Sequence, residues 1–297
     1  MKRLAFSFLL VLFALGAAQA HSPKTEAPRW GIVLAAFGST HPGGMAGLEK
    51  VKARFEAAFP GLPVRVGFTS RNAVNALKVD GVLTAMARLS DEGIRRIFIQ
   101  PLHVSAGAEY DDLKALARGL NAVARAGVNK PPFEEVTLGE PPLGKSRAGD
   151  PKALEETARA LAGDAALARE QGAALVYGAH GNPKWPAREF ISLQAAMAKT
   201  YPGLTVLAGT LESKPGVEDV LRGLKKSGKT SVLLYPLLFG AGVHAADDLC
   251  GGEPGSWRSL LEKAGYRVDC RMRGLGEMDS FADMLVSRAR EALEGAR

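Results

Sequence analysis

One motif occurs twice in this chain, and its two copies limit the fold more than any other feature. Pro101-Leu-His-Val-Ser-Ala-Gly107 followed by Asp111-Asp-Leu113 is matched by Pro236-Leu-Leu-Phe-Gly-Ala-Gly242 followed by Asp247-Asp-Leu249, each after an apolar run. Upstream, Ala36-Phe37-Gly38 pairs with Ala179-His180-Gly181, and Phe68-Thr69 pairs with Gly209-Thr210, in the same order. A chain that repeats its turns in order, between similar runs, repeats a fold unit.

The runs themselves identify the unit. Short β-branched stretches read as strands at Gly31 to Ala36, Pro63 to Phe68, Arg96 to Gln100, Glu135 to Leu138, Ala174 to Tyr177, Leu204 to Leu207, Ser231 to Tyr235 and Tyr266 to Cys270. Between them, stretches such as Leu48 to Phe59, Ala73 to Leu89, Leu113 to Ala126, Lys152 to Gln171 and Phe281 to Leu293 carry apolar residues at helical spacing. Strand-helix alternation calls for parallel sheets covered on both faces. The expected fold is therefore α/β, with two similar Rossmann-like halves, each a four-stranded, mainly parallel sheet flanked by helices, and a cleft between them. The Pro/Gly-rich stretch Glu140 to Gly149 reads as the join, giving an N-terminal domain over 29–149 and a C-terminal domain over 150–297.

The first residues have the layout of a secretory signal. Lys2 and Arg3 precede an apolar run from Leu4 to Leu15, and Ala18-Gln19-Ala20 is a small-x-small cleavage site. The run is shorter than the roughly 20 residues a bilayer-spanning helix needs, so cleavage after Ala20 and a periplasmic location are expected, with 21–28 a disordered mature N-terminus. No Cys follows the run as a lipid acceptor, and no later stretch is apolar enough to insert in a membrane. Cys250 and Cys270 would meet an oxidising compartment, where they could pair or stay apart. The net charge of +7 is scattered, without a basic-aromatic ladder or zinc-finger spacing. That suits a small polyanionic ligand and not nucleic acid.

Histidine is scarce, with five in the chain, so each can be weighed. His21 falls in the mature N-terminus, and His41, in Ser39-Thr40-His41-Pro42, reads as a solvated loop residue. His180, Glu212 and His244 each follow a strand of the second half and are evenly spaced, one βα unit apart. Adjacent parallel strands would deliver all three to one sheet edge, where open α/β sheets bind ligands. Two imidazoles and a carboxylate suit Co²⁺, Fe²⁺, Ni²⁺ or Zn²⁺ better than Mg²⁺ or Ca²⁺, and three ligands leave coordination positions open. Strand-end loop residues of no special role would look the same on spacing alone.

The repeat makes this set one-sided: the first half has Phe37 where the second has His180, and Arg71 near the place of Glu212, while His244 falls beside a one-residue insertion. Metal would then sit on the second half, and the first would supply a wall. On that wall His103 either faces the cleft or serves as a hydrogen-bonded strand-end histidine. No GxxxxGK[ST] or GxGxxG phosphate-binding loop follows a strand here, and no G-x-S-x-G nucleophile elbow is present.

With these residues assembled, the chain resembles the anaerobic cobalt chelatase family, the sirohydrochlorin cobaltochelatases related in fold to class II ferrochelatases. The resemblance is carried by Ala35-Ala-Phe-Gly-Ser39, Gln100-Pro-Leu-His-Val-Ser-Ala-Gly-Ala-Glu-Tyr110, Tyr177-Gly-Ala-His-Gly181, Gly209-Thr-Leu-Glu212 and Tyr235-Pro-Leu-Leu-Phe-Gly-Ala-Gly-Val-His244. It implies ATP-independent insertion of Co²⁺ into sirohydrochlorin with release of two protons, Fe²⁺ being a second candidate metal. It also implies His180, Glu212 and His244 as metal ligands; the proton release then assigns His180 as the base, with Glu212 the other candidate, and the first-half wall would turn Phe37, His103 and Arg71 to the tetrapyrrole. One departure stands out, because cobalamin precursors are made in the cytoplasm whereas this chain carries an export signal. A periplasmic carrier of metal or haem using the same cleft is therefore the competing reading. Haem binding and a homo-oligomer are left open.

Overall fold

The computed structural model describes residues 29–295. The expected signal segment 1–20, the mature N-terminus 21–28 and His21 lie outside the described residues. The first half runs β1 (Trp30–Ala36), α1 (Pro42–Met45), α2 (Leu48–Ala58), β2 (Val64–Phe68), α3 (Arg71–Leu77), α4 (Val82–Asp91), β3 (Arg96–Pro101), α5 (Ala108–Arg125) and β4 (Glu135–Leu138). The second runs α6 (Pro151–Ala160), α7 (Ala162–Glu170), β5 (Ala174–Ala179), α8 (Arg188–Thr200), β6 (Val206–Thr210), α9 (Val217–Ser227), β7 (Ser231–Pro236), a π-helical turn (His244–Leu249), α10 (Trp257–Lys263), β8 (Arg267–Cys270) and α11 (Asp279–Gly295).

The strand orders are β2-β1-β3-β4 and β6-β5-β7-β8, and every pair is parallel. These are the same topology written twice. β1 and β5 are central and buried along their whole length, which is why they read as continuous apolar runs and not as alternating ones. Ile32, Leu34 and Phe55 of the first half share one apolar core with Leu175, Tyr177, Phe190 and Phe281 of the second.

Two expected helices prove to be broken. Ala73 to Leu89 is two helices, α3 and α4, because Lys78 takes a left-handed conformation at φ 54° and the Phe68 N–H donates to the Asp80 carbonyl at 2.9 Å. Lys152 to Gln171 divides at Leu161, which lies at φ −87°, ψ 14°. The sixth strand was expected over Leu204 to Leu207 and instead reaches Thr210.

The join is fastened from the far end of the chain. Arg288 of α11, 9% exposed, donates to the carbonyls of Pro141, Pro142 and Ala153 and pairs with Glu156. The same helix reaches the first half, where Arg54 of α2 pairs with Asp283 at 3.1 Å. Cys250 and Cys270 form a disulfide with Cα atoms 5.6 Å apart, tying the end of the π-helical turn to the end of β8. Among the described residues no helix is long and apolar enough to cross a membrane.

Candidate active site

The repeat extends to single hydrogen bonds. The Thr69 and Ser70 N–H groups donate to the Ala36 and Phe37 carbonyls, and the Leu211 and Glu212 N–H groups donate to Ala179 and His180. After both central strands a glycine follows with positive φ, Gly38 at 88° and Gly181 at 81°. A Cβ at Gly181 would stand 2.7 Å from the Thr210 Cβ, so the turn that presents His180 needs glycine both for its backbone and for its space.

This pairing corrects one alignment. Ala36 sits opposite Phe68 and Ala179 opposite Thr210, so Phe68 corresponds to Thr210, one position away from the expected match. Ser70, not Arg71, therefore stands in the place of Glu212. Ser70 caps α3 and lines the cleft, as does Asn72, whereas Arg71 is exposed and is not among the lining residues. Arg71 is thus not placed to face a ligand there.

His180 and His244 come together, their rings 4.6 Å apart and edge to face at 78°. Glu212 Oε2 lies 3.5 Å from His180 Nδ1, which also faces the Gly181 carbonyl at 3.1 Å. His244 directs its own Nδ1 to Asp248 at 2.7 Å. Both imidazoles thereby spend Nδ1 on an acceptor and keep the Nε2 lone pair, the arrangement seen where histidines bind metal. The trio is assembled pairwise and not as a closed cage: among the described residues no three His, Cys, Asp or Glu side chains form a ready-made metal cluster. Glu212 stands on the Nδ1 side of His180 and does not line the cleft.

His244 opens the π-helical turn, in which the Cys250 N–H reaches back five residues to Ala245. The one-residue insertion is absorbed here. A π-turn takes up an extra residue without breaking the helix and is frequent at functional sites.

The cleft encloses about 490 Å³, within the range of small-molecule sites. Phe37, 55% exposed, and His103 line it from the first half; His180, Trp185, Glu189 and His244 line it from the second. His103 satisfies both of its expected readings: it lies on the cleft wall and bonds Thr69 Oγ1 through Nε2 at 3.0 Å. Its Nδ1 is sealed without a partner among the described residues, and burial lowers its pKa to about 4. The protein should lose stability as pH falls from 6.5 towards 4, since the unfolded chain protonates this ring first. His103→Gln should flatten that slope in urea titrations, and an unchanged slope would discount the effect. His41 caps α1 by accepting from the Gly43 N–H.

Two further cleft residues gave no sequence signal. Trp185 carries Arg147 of the join stacked 3.5 Å above its ring. Glu189, in the first turn of α8, is only 6% exposed. A glutamate at a helix start is ordinary, and the folded chain brings Ser105 of the first half against it.

The sequence profile of a family described as cobalt chelatase (CbiK) matches residues 30–294. The chain is 34% identical over 271 residues to sirohydrochlorin cobaltochelatase CbiKC of Nitratidesulfovibrio vulgaris, covering 90% of each. It is 28% identical over 223 residues to sirohydrochlorin cobaltochelatase of Salmonella typhimurium, covering 75% of this chain and 78% of that one. Among solved structures it is similar to SirB from Bacillus subtilis with Fe³⁺, with a TM-score of 0.62 at 18% identity over 90% of this chain and 97% of that one. SirB from Bacillus subtilis subspecies spizizenii in complex with cobalt gives 0.60 at 16%, over 90% and 96%. At such identities the likeness to SirB is one of fold.

Proposed function

The chain is a member of the cobalt chelatase family, and on that premise we propose that it inserts Co²⁺ into sirohydrochlorin in the cleft between its halves. The observation that carries this reading is the pairing of His180 with His244 on one wall of a cleft, with Glu212 3.5 Å from the Nδ1 side of His180, while the opposite wall carries Phe37 and His103. One wall can hold the ion while the other holds the flat ring against it.

The steps follow from the side chains. Nε2 of His180 and of His244 binds the incoming ion. Gly181 and Asp248 fix the tautomers that allow it. For Glu212 to join them, it must swing round or the His180 ring must turn over. Both side chains are about 40% exposed and have room to do so. Two protons must leave the ring as its nitrogens replace these ligands. His180 is assigned as acceptor, an imidazole being able to take up a proton, with Glu212 the other candidate. Fe²⁺, close to Co²⁺ in ligand preference, is proposed as a second metal. The signal-like N-terminus and the disulfide both support an exported, periplasmic protein.

The test is to mix the purified protein, substoichiometric, with sirohydrochlorin and Co²⁺ without oxygen and follow the ring's absorbance. Conversion of excess ring is expected. Bound metal or ring without turnover would overturn the chelatase reading in favour of a carrier.

A further inference from the structure

We propose that Glu189 donates a hydrogen bond from its carboxyl group to a carboxylate on the deep edge of the ring substrate, and so selects a polycarboxylate tetrapyrrole. The inference rests on the function proposed above and adds a specificity-determining residue to it.

Glu189 lines the cleft yet is 6% exposed. Its Oε2 is sealed from solvent, and among the described residues nothing partners it. Buried polar atoms are nearly always bonded, and a buried charge without a partner costs more still. A carboxyl left this way in the wall of a ligand cleft is completed by the ligand.

The choice of partner follows from charge. Burial pushes the Glu189 carboxyl up from the usual carboxylate range, against opposing pulls from its own backbone N–H, the Ser105 hydroxyl and the Arg147 charge. That favours the neutral acid, which has an O–H to give. An ionised Glu189 would instead repel a substrate ringed by carboxylates. The ring's own N–H groups must face His180 and His244, so its carboxylate-bearing periphery meets the rest of the cleft lining, Glu189 included. The cleft lining also includes the buried apolar residues Leu102, Ala187 and Phe190. Ser105 comes from the first half and Glu189 from the second, so this contact also reads whether the halves are correctly closed on the substrate.

The experiment measures affinity for metal-free sirohydrochlorin by ring fluorescence, in wild type, Glu189→Ala and Glu189→Gln, with no metal present. Glu189→Ala should weaken binding by roughly tenfold or more, the scale of one hydrogen bond to a charged group. Glu189→Gln keeps a donor in the same place and should stay within about threefold of wild type on the same scale. Glu189→Ala should weaken ring binding with little change in the thermal unfolding temperature, because the Oε2 it removes is buried without a partner among the described residues. A supporting structural role would predict the opposite. Unchanged affinity in Glu189→Ala, or Glu189→Gln as weak as Glu189→Ala, would overturn the inference while leaving the chelatase reading intact. Failure of the wild type to bind the ring at all would overturn both.

Discussion

Alanine at His180 or at His244 is expected to cut cobalt insertion by at least about a hundredfold, since even the residues that orient metal ligands are commonly worth 10- to 100-fold. The fold should survive, because both side chains are about half exposed and neither belongs to an apolar core. Surface changes of this kind stay within about 0.5 kcal/mol, or about 2 °C of unfolding temperature. Asp248→Ala should fall between these variants and wild type. It leaves His244 in place but frees the ring to change tautomer. Co²⁺ binding isotherms and insertion rates on the three proteins give the ordering, and wild-type rates in both histidine variants would remove the site.

The largest loss of stability is expected at a residue outside the cleft. Asp164 of α7 is 1% exposed. It accepts the Tyr177 hydroxyl at 2.9 Å and both terminal nitrogens of Arg273 at 2.7 and 2.8 Å. Arg273 in turn lies over the Tyr235 ring at 4.4 Å. The network thus grips β5 and β7, the strands that precede His180 and His244. Asp164→Ala leaves the Tyr177 hydroxyl and the Arg273 guanidinium without another hydrogen-bond acceptor among the described residues, a loss of about 3–5 kcal/mol. That is a large share of the roughly 5–15 kcal/mol a domain has. Urea unfolding should show it as a lower midpoint with little change in slope; a loss below about 1 kcal/mol, the scale of an ordinary point mutation, would mean that the network is not holding the strands.

How much of this could be read beforehand differs from residue to residue. The doubled Pro-Leu motif fixed the doubled topology, because each copy follows a central strand whose neighbours are set by parallel crossovers. The placement of His180, Glu212 and His244 at strand ends followed from the same reasoning. Letter matching failed where backbone register decides: Phe68-Thr69 resembles Gly209-Thr210, but the sheet aligns Phe68 with Thr210. That slip of one residue put Arg71 where Ser70 stands. The break after Leu77 was hidden because a lysine, not a glycine, takes the left-handed turn. Glu189 was hidden for a different reason, since its burial depends on the meeting of segments far apart in the chain.

The disulfide carries one more consequence. Cys250 ends the turn that His244 begins, and Cys270 ends β8, the outer strand beside β7. This bond ties the turn that carries His244, a proposed metal ligand, to the sheet only where thiols are oxidised. In the exported setting proposed above, the covalent tie between turn and sheet exists only once the two cysteines are oxidised, so a reduced chain would present His244 from a turn held by packing and hydrogen bonds alone.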